Sequence, residues 1–163
     1  MALQDLIVHK INNGSGTKGS IRYAVSASST LINSGEPVIK VIGSGTAVTP
    51  LQTNSPVVGT TFMAGVAVST STNTASVAGT VDVLPATSDT VFLIAPKVAA
   101  TWATQALYDA LVGTRVLIDL TSASYTVLAS DSTTNGCVVM PLDVVANPGK
   151  VAISFRDASN YLA

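Results

Sequence analysis

Few residues of this chain can do chemistry, and they are scattered. There is one histidine, His9, and one cysteine, Cys137, too few to build a metal centre from these two types alone. His9 has only Asp5 near it among ligand types and reads as a solvated side chain. Cys137, between Gly136 and Val138 in a β-prone run, reads as a small buried hydrophobe with no internal disulfide partner. The carboxylates are Glu36 and eight aspartates, and no two recur at a spacing that would pair an acid with a base. In Val81-Asp82-Val83 the valines face one way and the carboxylate the other, which makes Asp82 an outward strand residue rather than a catalytic acid. Gly14-Ser15-Gly16 and Gly43-Ser44-Gly45 lack the flanks of a nucleophile elbow. The second follows an apolar run, as a dinucleotide loop does, but Val48 stands where a third small residue belongs and Pro50 forbids a helix soon after. It reads as a tight turn. No catalytic residue, cofactor or metal site is therefore expected.

Composition says what kind of surface such a chain presents. The 163 residues are 47% hydrophobic, ample for a core, yet only 10% are charged. An ordinary soluble domain carries ~25%. Ser, Thr, Ala, Val and Gly fill the difference, and a neutral, hydroxyl-rich surface has little electrostatic protection against association. Such a protein is expected inside an assembly. Eight scattered Lys and Arg at a net charge of −1 form no basic stripe, so nucleic acid is not an expected partner. No run approaches ~20 apolar residues, and Met-Ala-Leu-Gln-Asp lacks a basic stretch leading into an apolar one. No membrane contact is expected, and a soluble product synthesised in the cytoplasm is expected.

The elements that would position these residues are mostly strands. Between Gly113 and Arg156 the period of two is clearest: Val116, Ile118 and Leu120 alternate with Arg115, Asp119 and Thr121. Val151, Ile153 and Phe155 alternate with Lys150, Ala152, Ser154 and Arg156 after the turn Asn147-Pro148-Gly149. With Tyr125 to Leu128 and Cys137 to Met140 between them, a four-stranded meander is expected. Upstream, 21–25, 38–42 returning through 46–48, 62–68, 76–84 and 91–94 carry the same texture. The one helix expected spans 99–111, with Thr101 or Thr104 as its cap and Gly113 at its end. On it Trp102 is read first as core, and stands also as the candidate interface anchor. Residues 1–20 are expected to be a flexible arm, because Asn12-Asn13-Gly14-Ser15-Gly16 follows a brief apolar run. Leu6, Ile7 and Val8 in that run are the candidate assembly residues.

An internal repeat emerges from these passages. Gly35-Glu36-Pro37-Val38-Ile39-Lys40-Val41 parallels Gly113-Thr114-Arg115-Val116-Leu117-Ile118-Asp119. Gly65 to Val68 then parallels Gly136 to Val139, and Gly79 to Val83 parallels Gly149 to Phe155. The expected fold is mainly β: an antiparallel barrel or sandwich of two related units, one short helix and an extended N-terminal arm. The units would be 21–98 and 99–163, either separate or merged into one β domain.

Gly35-Glu36-Pro37-Val38, Gly65-Val66-Ala67 and Gly79-Thr80-Val81-Asp82-Val83-Leu84-Pro85 resemble the spaced glycine-valine pattern of the small β-barrel decoration proteins on tailed-bacteriophage heads. The block from Gly113 to Arg156 is similar to the barrel-closing strands of such auxiliary capsid proteins. The resemblance implies a non-enzymatic virion protein that binds the outer surface of the assembled head, contacts the major capsid protein and itself, often as a trimer, and stabilises the shell. The helix at 102–111 and the Gly-rich arm depart from that pattern. A tail or baseplate component, or a pilin- or adhesin-like β subunit, would carry the same texture.

Overall fold

The computed structural model describes residues 7–11, 19–41, 47–51, 56–59, 61–85, 87–121 and 124–156. The chain is mainly β, and its strands form two sheets. The first contains β2 (Ile21–Val25), β3 (Pro37–Val41), β4 (Thr49–Pro50), β5 (Thr61–Ala67) and β6 (Gly79–Pro85), in the order β2-β6-β5-β3-β4. A parallel bridge between Ala24 and Ala47 joins its two ends, and the Val48 N–H donates to the Ala24 carbonyl at 3.0 Å. The sheet is thus a small closed barrel. The second contains β7 (Thr90–Pro96), β8 (Arg115–Thr121), β9 (Ser124–Leu128), β10 (Cys137–Val139) and β11 (Val151–Phe155), in the order β7-β11-β10-β8-β9. It closes in the same way, by parallel pairing of Ala95 with Thr126 and Pro96 with Val127. Closure pairs the far end of each barrel's first strand and so shortens the edges that would otherwise invite association.

The two barrels are one design used twice. Strands β2 to β6 correspond in order to β7 to β11, and the registers agree pair by pair. Ile21 opposite Val83 matches Phe92 opposite Ile153; Val38 opposite Gly65 matches Val116 opposite Cys137; Val66 opposite Leu84 matches Val138 opposite Ser154. The entry turns match too. Gly35 at φ 86° donates to the Ala67 carbonyl at 2.7 Å, and Gly113 at φ 85° donates to the Val139 carbonyl at 2.9 Å. Only glycine adopts such φ values without strain, which is why both copies keep it. The repeat expected from sequence is therefore present, but one of its pairings is a residue out: Gly65 corresponds to Cys137, not Gly136. Gly65, at φ 151°, is needed because a Cβ there would come within 1.9 Å of the Leu84 carbonyl oxygen.

Period-two alternation fills each barrel. Tyr23, Val25, Ile32, Val38, Val48, Ala64, Ala67, Val81 and Val83 make the first core. In the second, Phe92 and Phe155 meet edge-on at 5.5 Å among Ile94, Val116, Ile118, Val127, Cys137, Val139 and Ile153. That cluster also includes Ile39, Leu51, Met63 and Val66 of the first barrel. Backbone bonds add to the joint: Val58 N–H donates to the Thr134 carbonyl at 2.9 Å and Gly136 N–H to the Pro56 carbonyl at 3.0 Å.

Five expectations change. The last four strands are not a meander, because β10 pairs with β8 and β11 rather than with its predecessor β9. The wet face expected for β11 is dry: Ala152 and Ser154 are buried along with Val151, Ile153 and Phe155. The expected helix is divided into a 3-10 turn, Ala99–Trp102, and α1, Gln105–Asp109, by Thr104, whose extended backbone lets its hydroxyl cap the Leu107 N–H at 3.3 Å. Finally, the expected division at residue 98 falls inside the second barrel, whose first strand is β7. Part of the expected N-terminal arm is itself a strand: β1 (Ile7–Ile11) lies antiparallel against β7.

Candidate assembly interface

The residues singled out from sequence do not converge on one site. Leu6 and Gly43-Ser44-Gly45 lie outside the described residues. Ile7 and Val8 pair with Leu93 and Phe92, and the ladder shifts register between Val8 and Lys10, at His9. Trp102 is 5% exposed and packs edge-on against Tyr108 at 5.6 Å, so it is a core residue and not an exposed anchor. Cys137 is fully buried, and burial pushes its thiol pKa up. Asp82 faces solvent in a two-pronged pair with Arg22, at 2.8 and 3.1 Å, whose hydrogen bonds hold the carboxyl below its ordinary value. Asp131 is held low in the same way by Arg115. Asp119, 2% exposed, meets Lys97 at 2.6 Å. Among the described residues no three His, Cys, Asp or Glu side chains could share a metal ion, and no helix is long and apolar enough to cross a membrane.

What the surface does offer is an apolar ledge at one end of the second barrel. It arises where the copies differ most: residues 97–114 join β7 to β8, whereas the shorter segment 26–36 joins β2 to β3. The longer connection carries α1, which is pinned onto 140–145 by side chains. Gln105 donates to the Leu142 carbonyl at 3.0 Å and accepts from the Val144 N–H at 3.1 Å. The Tyr108 hydroxyl enters between β10 and β11, donating to the Met140 carbonyl and accepting from the Ala152 N–H, both at 2.9 Å. In the first barrel the corresponding N–H, that of Asp82, is satisfied instead by the Ser69 hydroxyl at 3.1 Å.

Around this platform Val98, Leu107 and Val145 are 56%, 48% and 86% exposed. A depression of about 620 Å³ opens between Gln105, Pro141, Leu142 and Val145, and a second of about 290 Å³ between Pro96, Ala99, Trp102 and Pro148. Asp109 and Asp143 also line the larger one, but the exposed wall of both is mostly apolar, so what they can do is bury a partner's apolar side chains. Sequence reasoning missed this ledge. Helical spacing in 99–111 does not decide between Ala106 and Leu107 for the inward position, and Val145 gives no periodic signal inside 141–149. No family model, curated protein or solved structure matches this chain.

Proposed function

We propose that the protein is a structural virion subunit, a capsid decoration protein that binds the outside of an assembled phage head through the major capsid protein and stabilises the shell. A homo-oligomer, such as a trimer, would multiply modest contacts through effective concentration. The observation that carries the reading is the combination of a chain only 10% charged with an exposed apolar ledge at Val98, Leu107 and Val145 on a closed barrel. A contact built from such groups draws on shape fit and apolar burial rather than on charge pairing. Binding is then salt-tolerant, and shells carrying the protein withstand more heat than bare ones.

The test adds purified protein to undecorated heads at low and at ~1 M salt, where the Debye length is only ~3 Å, and compares occupancy and thermal rupture. Occupancy unchanged by salt, with a raised rupture temperature, is the expected result. Collapse of binding at high salt would sink the account of the interface, and binding without a shift in rupture would sink stabilisation.

A further inference from the structure

We draw no further inference here: the strongest candidate, the surface patch of Leu31, Val68 and Val77 at the end of the first barrel that corresponds to the ledge on the second, is an unpartnered apolar face, and nothing in the structure shows what covers it.

Discussion

Tyr108 shows how much a single hydroxyl holds in place here. Its O–H satisfies a carbonyl on one strand and an N–H on the next, at a point where the ladder between β10 and β11 opens. Tyr108→Phe leaves both backbone groups buried without that partner and is expected to cost about 1–3 kcal/mol, read as a lower denaturant midpoint at unchanged slope. Burial also raises the pKa of this phenol and of the Cys137 thiol above their ordinary values. For groups raised in the folded state, the stability they contribute is fully present below the unfolded pKa. It is lost as pH climbs, because the unfolded chain releases its protons first. Unfolding free energy should therefore fall from pH ~8.5, the ordinary thiol value, and more steeply past ~10, that of tyrosine. Urea titrations from pH 7 to 10.5 check this, and Cys137→Ala should flatten the first part of the decline. The thiol's role was legible in sequence, since a lone Cys between β-prone residues has few alternatives. Tyr108's was not, because its two partners lie 32 and 44 residues away.

At the level of elements, β1 is where sequence and structure part most clearly. Asn and Gly after Ile11 argued for a loose arm, and a loose arm predicts that its removal leaves the melting temperature unchanged. With β1 laddered to β7, deletion of residues 1–11 is instead expected to uncover Thr90 to Leu93, to cost roughly 2 kcal/mol or more, and to promote association through the bared edge. Differential scanning calorimetry and size-exclusion chromatography of the truncated protein measure both effects. Strand β8 was readable because Val116 and Ile118 face a core while Arg115 and Leu117 are less buried, although Asp119, read as outward, is buried against Lys97. Strand β11 misled because Ala152 and Ser154, small enough to suit either environment, are covered by other parts of the fold. The helix was placed correctly but drawn too long, since helix-forming side chains on both sides of Thr104 conceal the extended backbone that caps α1.

For the whole molecule, the shared cluster decides how the barrels come apart. Ile39, Leu51, Met63 and Val66 bury their side chains with the second core, so neither barrel has a complete surface of its own. A single cooperative transition is expected, with Trp102 fluorescence, which reports on the second barrel, coinciding with far-UV circular dichroism across a melt. Separated curves would show that the halves unfold independently. The duplication itself was legible, because Gly35 and Gly113 are demanded by the same left-handed turn. A barrel was one of the two architectures expected, but the pairings that close it were not legible, for they are a few parallel pairs between segments that carry no mark of them. The paired connections also hold a practical lesson. Residues 97–114 accommodate a capped helix where 26–36 hold only a loop, yet every strand on either side keeps its register. The joint between first and second strands is thus a natural grafting point: a foreign epitope or enzyme tag spliced between Ser28 and Leu31, in the shorter loop, would be carried outward by a frame that has already absorbed one such insertion.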